Sequence, residues 1–428
     1  MVRFATALLA LSATALATTT CSSSSQCPED TPCCSQYGEC GTGAYCLGGC
    51  DIQGSYSIES CAPMPVCESK TYTWDNLDNS VLNTKYLGNA SAADWTYSGY
   101  PKTENGSLLM TMPKESVGTL FANNHYLWYG SVSGKIKSSR GKGVVTAFIL
   151  LSDVKDEIDY EWVGADLTGV QSNYYWQGVL DWHNSANISV SGDDTFDDWH
   201  TYEINWQPDQ LQWIVDGNVM RTLNKADTYN ETSKQYQYPQ SPSRLQMSIW
   251  PAGQSTNAPG TIAWAGGEID WDSEDIQNDG YYYATIGQID VQCADIPSGI
   301  SVTGNNSYVY TSSSGMETDV EVTSNSTVLG SLGATGLDPT LGANSTSSSS
   351  SSSSSASDSI PSNSSGSGGS GSAGAQAASN STTDSNPTST SNSFSQGTTT
   401  SNAANQNDRA LGGSVFAVLV AVCGLMTL

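Results

Sequence analysis

A long stretch that cannot form a core limits what this chain can fold into. From about residue 303 to residue 410 the sequence consists almost wholly of Ser, Thr, Asn, Gly and Ala, and nine consecutive serines occupy 347–355. Such a segment buries too little apolar surface to offset the entropy that it loses on ordering. We therefore expect the fold to lie within residues 21–300. Residues 299–402 are predicted to form a disordered, Ser/Thr-rich, O-glycosylated stalk.

The charge balance excludes one class of partner. The chain carries 15 Lys+Arg against 42 Asp+Glu, a formal charge of −27. Because like charges repel, neither a nucleic acid nor an anionic membrane surface is an expected partner. The 12 Trp and nearly all of the 21 Tyr precede residue 300. This aromatic content favours a neutral, hydroxyl-rich ligand.

The first residues predict a secretory signal peptide. Arg3 supplies a positive start, residues 4–16 form an apolar run too short to span a bilayer, and Ala15-Leu16-Ala17 fits a cleavage site. We expect residues 1–17 to be removed. The alternative is a buried first helix.

The last residues predict a glycosylphosphatidylinositol (GPI) anchor. Residues 415–428 are almost all apolar, but they are too few for an ordinary membrane-spanning helix. A polar spacer and the small residues Asn402-Ala403-Ala404 precede them, which is the order of a GPI signal. We expect Asn402 to carry the anchor and residues 403–428 to be removed, so that the membrane is reached only through the lipid. A plain hydrophobic tail is the alternative.

N-glycosylation sequons are consistent with the secretory route, and together with the GPI-type tail they predict a secreted protein held at the outer face of the plasma membrane. They occur at Asn89, Asn105, Asn187, Asn230, Asn305, Asn325, Asn344, Asn363 and Asn380.

The cysteines predict a small module held by disulfides. Nine of the 11 cysteines lie within residues 21–67, where large apolar residues are few, so a core cannot hold this segment. Zinc binding is the alternative, but no His lies near these cysteines. Since nine is odd, Cys61 or Cys67 is expected to pair with Cys293; the spacing leaves the connectivity open. The expected disulfide cysteines are Cys21, Cys27, Cys33, Cys34, Cys40, Cys46, Cys50, Cys61, Cys67 and Cys293.

The spacing CPEDTPCCSQYGECGTGAYC resembles the hevein-type chitin-binding module. That resemblance places Ser35, Tyr37 and Tyr45 on the residues that grip N-acetylglucosamine. Glu39 stands where good binders of the family carry an aromatic ring, so we expect weak chitin binding. The alternative is a module kept for folding or spacing.

The segment from about Thr71 to Val291 is predicted to be all-β. Short segments with period-two alternation recur between turn residues, and no long helical periodicity appears. The predicted strands include Val144–Ser152, Glu157–Val163, Val170–Trp176, His200–Trp206 and Leu211–Val215, the last followed by the hairpin signal Asp216-Gly217. The pattern favours a β-sandwich or barrel.

The candidate chemistry lies in the segment DEIDYE, residues 156–161. Alternate side chains of a strand share a face, so Glu157, Asp159 and Glu161 point one way. Carboxyls aligned in this way raise each other's pKa, which suits a pair with split acid and nucleophile roles in glycoside chemistry. A solvated acidic edge and a calcium site are the alternatives, although an EF-hand loop is absent.

The geometry of a retaining pair sets a condition on the sheet. Cα atoms four residues apart on a flat strand are about 13 Å apart, whereas retaining carboxyls lie about 5–5.5 Å apart. The strand is therefore expected on a concave, twisted sheet that lets the two Glu side chains converge.

The sequence resembles glycoside hydrolase family 16, in the segments DEIDYE, VQSNYYWQG, WHTYEINWQPDQLQWIVDG and MSIWPAG. With the hevein-like module, GTIAWAGGEIDW and the GPI-type tail, it resembles the fungal Crh-type cell-wall transglycosylases. The resemblance implies a β-jelly-roll sandwich with a concave cleft over residues 68–298.

The resemblance also implies roles for particular residues. Glu157 is expected to be the nucleophile, Glu161 the acid/base, and Asp159 the group that tunes both. Predicted substrate-binding residues are Gln171, Asn173, Tyr175, Trp250 and Trp264, with burial in the core as the alternative for each Trp. We expect structural roles for Trp206, Trp213, Trp271 and His200.

The resemblance implies cleavage of a chitin donor with retention and its transfer to β-glucan, whereas the residues alone predict only retaining chemistry. A hydrolase acting on chitin or glucan is the nearest rival, and a wall lectin or mannoprotein is another. No cofactor or metal is expected, since no phosphate loop or metal-binding His cluster appears. We expect a monomer.

Overall fold

The computed structural model describes residues 19–343, apart from residues 191 and 193. The predicted signal peptide, the predicted anchor site Asn402, residues 344–402 of the predicted stalk and the sequons at Asn344, Asn363 and Asn380 lie outside the described residues. Among the helices of the described part, none has the length and apolar character needed to cross a membrane.

Strands dominate the described part of the chain. In chain order they are β1 (Cys33–Cys34), β2 (Cys40–Gly41), β3 (Met64–Pro65), β4 (Lys70–Tyr72), β5 (Ser80–Leu82), β6 (Trp95–Ser98), β7 (Tyr100–Glu104), β8 (Ser107–Pro113), β9 (Thr119–Leu127), β10 (Gly130–Lys137), β11 (Val144–Ser152), β12 (Glu157–Val163), β13 (Gly169–Tyr175), β14 (Ala186–Ser189), β15 (His200–Trp206), β16 (Gln210–Val215), β17 (Asn218–Asn224), β18 (Tyr229–Asn230), β19 (Gln235–Tyr236), β20 (Ser243–Pro251), β21 (Tyr281–Cys293), β22 (Ser307–Tyr310) and β23 (Val320–Thr323). Two short helices, α1 (Pro259–Trp264) and α2 (Glu274–Asn278), interrupt them.

Two large sheets pack face to face around one core. The first sheet has the order β17-β16-β15-β10-β21-β8-β7, with β4 also paired to β21. The second has the order β14-β13-β12-β11-β20-β9-β6-β5. Side chains of both sheets meet in one buried cluster, which confirms the predicted all-β sandwich.

The alternation in the sequence located the strands well. The structure forms Val144–Ser152, Glu157–Val163 and His200–Trp206 with the predicted bounds. Asp216 and Gly217 adopt φ values of 49° and 77°, so the turn between β16 and β17 takes the positive angles that this hairpin signal predicts.

The residues predicted to be structural lie in or against the core. Trp206 and Trp213 are fully buried, and Trp271 packs against the core at its edge. His200 is buried, and its Nδ1 lies 2.8 Å from Asp216 Oδ2 at the end of the hairpin.

The disulfides resolve the pairing that the spacing left open. Cys67 pairs with Cys293 and joins the N-terminal module to the end of β21. The pairs inside the module are Cys21–Cys34, Cys27–Cys40, Cys33–Cys46 and Cys50–Cys61. We call residues 21–67 the N-terminal module.

The fold continues past residue 300, so the prediction that it ends there is wrong. Strands β22 and β23 pair with each other, and β22 also pairs with β3. Tyr308 and Val322 are buried in the main core. The segment has few apolar residues, but it needs no core of its own, because those few residues pack against the sandwich. We call residues 301–343 the C-terminal strap.

The C-terminal strap also closes over the N-terminal module. Leu329 and Ala334 are buried in a cluster with cysteines of the module and with Tyr86 of the sandwich. The Gly43 amide donates to the Ala334 carbonyl at 2.8 Å, and the Gly336 amide donates to the Ser60 carbonyl at 2.8 Å. The strap therefore fastens the module to the sandwich.

Truncation of Leu329 tests this role of the strap. Leu329→Ala removes a buried side chain, and we expect a loss of about 2–4 kcal/mol in the free energy of unfolding. Thermal unfolding should show the apparent melting temperature fall by roughly 5–10 °C. Leu337→Ala, at a side chain 46% exposed, is the matched control and should leave it unchanged. Equal melting temperatures for the two variants would contradict a packed strap.

Candidate active site

The alternation of strand β12 separates an apolar face from an acidic one. Ile158, Tyr160 and Trp162 point into the core between the sheets. Glu157, Asp159 and Glu161 therefore point to the outer face of the second sheet, the face turned away from that core. The structure thus brings the three predicted carboxyls together on one face, as the sequence pattern indicates.

The core side of β12 is fixed to the first sheet by hydrogen bonds. Trp213 Nε1 donates to the carbonyl of Asp159 at 3.0 Å. The Tyr160 hydroxyl donates to the carbonyl of Ile214 at 3.1 Å. Both hydrogen bonds join β12 to the first sheet on the core side. They restrain the backbone that carries the three carboxyls.

The three carboxyls are buried without matching donors. Glu157 and Glu161 are 4% exposed, and Asp159 is fully buried. Within the described part of the chain, both Asp159 carboxylate oxygens and one oxygen of each Glu have no hydrogen-bond partner. A buried acceptor without a donor is costly to stability, so this arrangement is typical of groups kept for chemistry.

Burial sets the protonation of the group. Burial, and then repulsion from Asp159 and Glu161, raises the pKa of Glu157 well above its ordinary range. Burial and the Asp159 charge raise the pKa of Glu161 in the same direction. Burial raises the pKa of Asp159 to about 7, opposed by the charge of Arg221. Near neutral pH the group therefore keeps protons as well as negative charge, which acid catalysis by one member and attack by another both require.

Arg221 is a site residue that the sequence analysis missed. It lies on β17 of the first sheet, and its guanidinium stacks over Trp213 at 4.3 Å. Its Nη1 donates to the Ser172 carbonyl at 2.9 Å, which places a cation beneath the strand next to β12. No local pattern marks it, because only the packing of the two sheets brings it near Asp159.

Strand β13 brings the predicted polar residues beside the carboxyls. Tyr175, Asn173 and Gln171 lie opposite Glu157, Asp159 and Glu161 in the ladder. Asn173 Nδ2 donates to the Tyr175 hydroxyl at 2.7 Å.

The two predicted tryptophans lie at the Glu161 end of the strand. Their rings stack with centroids 6.2 Å apart. Trp264 Nε1 donates to Gln171 Oε1 at 2.9 Å. Trp250 is buried with Val145 and its neighbours, while Trp264 is partly exposed. Of the two rings, Trp264 is the one with surface open to solvent, and the buried Trp250 packs against it.

Asp156 holds the start of the strand, a role that the sequence did not reveal. It is buried, and one carboxylate oxygen accepts from the amides of Gln240 and Ser241 at 2.9 and 3.0 Å. The other accepts from the Gln177 amide at 2.9 Å. Asp156 therefore ties β12 to the segment before β20 and to the turn after β13.

The predicted sugar-binding residues of the module do not form an open surface. Ser35 and Tyr37 are 5% and 8% exposed. The Ser35 hydroxyl accepts from the amides of Tyr37 and Glu39, both at 3.3 Å. Tyr45 is half-buried and packs against Gly41. The sequence could not show this, because the covering surface comes from the second sheet.

Two groups of side chains in the described residues stand close enough to hold a metal ion. One is Cys21, Cys27 and Cys34, and the other is Glu68, Asp94 and His125. The three cysteines are all in disulfides, and Asp94 pairs with Lys70 at 2.7 Å. Neither group includes a carboxyl of β12.

Comparison with known proteins supports the same chemistry. Residues 89–266 match the model of glycosyl hydrolases family 16. "Crh-like protein 2" of Aspergillus fumigatus is 59% identical over 95% of this chain and 94% of its own length. "Congo red hypersensitive protein 2" of Saccharomyces cerevisiae is 50% identical over 77% of this chain and 71% of its own. A solved "Crh5 transglycosylase in complex with NAG" is 26% identical, covers 64% of this chain and 99% of its own, and has a TM-score of 0.51.

The chain belongs to glycosyl hydrolases family 16 and is an enzyme of glycosidic bonds. Within that family it is one of the Crh-like proteins, the fungal group that the carboxylate motif and the module resemble.

The raised pKa of Asp159 predicts a pH-dependent gain in stability on neutralising it. The folded state holds the Asp159 proton up to about pH 7, whereas the unfolded state releases it near pH 4. The charge of Asp159 therefore adds no cost to folding below pH 4, and its contribution to that cost grows as pH rises towards 7. Asp159→Asn should raise the apparent melting temperature by several degrees at pH 8 and hardly at pH 4.

The control for this experiment is Asp78→Asn, at an exposed carboxyl, which should change little at either pH. If Asp159→Asn raised the melting temperature equally at pH 4 and pH 8, the charge of Asp159 would not be the cause of the destabilisation.

Proposed function

We propose that this protein is a retaining transglycosylase that joins chitin to β-glucan in the fungal cell wall. The observation that carries the proposal is the trio of buried carboxyls on one face of β12, in which four of the six oxygens have no hydrogen-bond partner. The Crh5 transglycosylase was solved with NAG bound, which supports an N-acetylglucosamine polymer as the donor.

The roles follow the geometry of the strand. The Glu157 carboxylate attacks the anomeric carbon of the donor, while Glu161 gives its proton to the departing glycosidic oxygen. A covalent glycosyl-enzyme forms, and the part of the donor beyond the cleaved bond leaves. Glu161 then takes the proton of an acceptor hydroxyl, whose oxygen displaces Glu157. Asp159 lies between the two Glu side chains on the same face, and, protonated up to about pH 7, it adds no second negative charge beside the Glu157 carboxylate as that group attacks.

The neighbouring side chains position the sugars. Gln171, Asn173 and Tyr175 supply polar contacts from β13, and Trp264 supplies an aromatic face for a sugar ring. A groove of about 240 Å³ lies beside Glu161, over strands β13 and β14. Asp166, Gln171 and Asn187 are among the residues that line it.

Secretion, glycosylation and GPI anchoring complete the proposal. Of the six sequons in the described residues, five have exposed asparagines, as glycosylation requires; they are Asn89, Asn105, Asn187, Asn305 and Asn325. The enzyme would act as a monomer at the outer membrane face and in the wall, with the segment after the C-terminal strap as its stalk.

A donor–acceptor assay with matched variants tests this function. Chito-oligosaccharide and a labelled β-glucan oligosaccharide should give a labelled hybrid product with the wild type. Glu157→Gln and Glu161→Gln should each lower its rate by about 10³-fold or more, because each removes a group that bonds to the reacting atoms. Glu231→Gln, at an exposed side chain, should leave the rate unchanged.

Two outcomes favour the rivals. Release of new reducing ends without any hybrid product would favour a hydrolase. Wall crosslinking that survives both substitutions would favour a lectin or a structural mannoprotein.

A further inference from the structure

A second groove lies on the outer face of the first sheet. Ala284 and Ile286 of β21 pack into the core between the sheets. Tyr281, Tyr283 and Thr285 therefore point to the other side of β21, away from that core. A groove of about 500 Å³ runs over this face and is lined by these three side chains. The carboxyls of β12 stand on the outer face of the second sheet, so this groove belongs to the opposite side of the sandwich.

The groove combines aromatic rings with charged side chains. Trp199, which lines it, is 37% exposed. The ammonium groups of Lys135 and Lys137 lie 5.3 and 5.4 Å from the centre of that ring and hold it in place. Asp197 and Asp279 also line the groove. Sugar rings have apolar C–H faces that stack on aromatic rings and hydroxyls that donate to carboxylates, so this lining suits a saccharide.

A glycosylation sequon stands in the lining of the same groove. Asn105, followed by Gly106 and Ser107, is exposed and lines the groove. Asn105 and Gly106 form the turn between β7 and β8, with φ values of 50° and 77°-like positive angles replaced here by the observed 75° for Gly106. This is the two-residue Asn-Gly turn of a tight hairpin. The attachment point is therefore held on a well-formed turn beside the groove.

The exposed tryptophan lies close to the sequon. Leu108 of β8 pairs with Ile286 of β21, so the next residues along the two antiparallel strands are Ser107 and Gly287. A Cβ on Gly287 would lie 3.2 Å from the ring of Trp199. The ring therefore covers β21 where it runs beside the sequon, and a sugar attached there starts next to it.

We propose that the N-glycan carried by Asn105 lies in this groove, with its first N-acetylglucosamine rings against Trp199 and the following sugars towards Tyr283 and Tyr281. From Thr285 to Tyr281 the strand extends about 13 Å, which is longer than one pyranose ring. The glycan is then a packed part of the first sheet. The proposal rests on the secretion and glycosylation proposed above, but not on the transglycosylase activity.

Attachment favours this glycan over a free wall polysaccharide. A glycan joined to Asn105 is present at a high effective concentration beside the groove. It also loses less freedom on binding than a separate chain does. Weak stacking on a few rings is therefore enough to keep it in place. Its expected effect is to cover apolar surface that the first sheet otherwise exposes to water.

The test asks whether the glycan shields the ring. The full chain is secreted from a host that adds N-glycans, and peptide mass spectrometry should find Asn105 glycosylated. Brief exposure to hydroxyl radicals then measures how fast Trp199 is oxidised. We expect oxidation several-fold slower in the wild type than in Asn105→Asp, a variant that keeps a residue suited to the turn but carries no glycan.

The matched control is Asn325→Asp, which adds the same charge at an exposed sequon of the C-terminal strap and should oxidise at Trp199 like the wild type. An unmodified Asn105, or equal oxidation of Trp199 with and without its glycan, would overturn the proposal. Added laminari- or chito-oligosaccharide that shields Trp199 in the glycosylated wild type would also overturn it, because the groove would then be open to wall polysaccharides.

Thermal unfolding tests whether the contact with the ring stabilises the fold. Asn105→Asp should lower the apparent melting temperature by a few degrees in the otherwise unchanged chain. The same substitution should lower it much less when Trp199→Ala is already present, because the two changes remove one contact. An equal loss in both backgrounds would show that the glycan acts without touching Trp199.

The donor–acceptor assay keeps this inference apart from the proposed function. Asn105→Asp should form hybrid product at the wild-type rate, because the groove and the carboxyls lie on opposite sides of the sandwich. If the glycosylated wild type formed no hybrid product while Trp199 stayed shielded, the proposed function would fail and the seated glycan would remain.

Discussion

The burial of three carboxyls on one face of β12 is the constraint on which the rest of the structure depends. Such burial opposes folding, because a carboxylate without donors is poorly solvated. This cost to the free energy of folding is offset because the other face of the strand is packed in the core and hydrogen-bonded to the first sheet. Ile158, Tyr160 and Trp162 fill the core, and Trp213 holds the backbone of Asp159. The same burial raises the pKa values of the three carboxyls, so that protonated and ionised carboxyls coexist near neutral pH. Glycosyl transfer needs both forms, one as the acid and one as the nucleophile.

The sequence was sufficient for the parts of the fold that local pattern controls. Alternation located β11, β12 and β15 with the bounds that the structure gives, and it placed the carboxyls on one face. It could not locate Arg221, which approaches Asp159 only because the two sheets pack together. The sequence also did not predict that the fold continues through the C-terminal strap. The average composition of this segment is polar, and it hides the few apolar residues, such as Tyr308 and Leu329, that are buried against other elements.

The N-terminal module shows how a motif can be recognised while its placement is missed. Eight of its nine cysteines pair with one another as in a small disulfide module, the ninth pairs with Cys293, and the resemblance located Ser35 and Tyr37. The contacts that turn these residues towards the sheet join positions far apart in the chain, among them Gln36 with Gln246. No spacing within the module records them. The module, the strap and the sandwich share buried clusters, so the three parts pack against one another through apolar side chains.

The most direct test of the account is the identity of the residue that carries the sugar. Glu161→Gln, given a chitobioside with a good leaving group, should form the glycosyl-enzyme and then resolve it slowly, because the leaving group needs no acid but the acceptor still needs a base. Peptide mass spectrometry should find the added sugar on Glu157. An adduct on Glu161-derived or any other peptide position, or inversion at the anomeric carbon in the wild-type product, would contradict a retaining mechanism through Glu157.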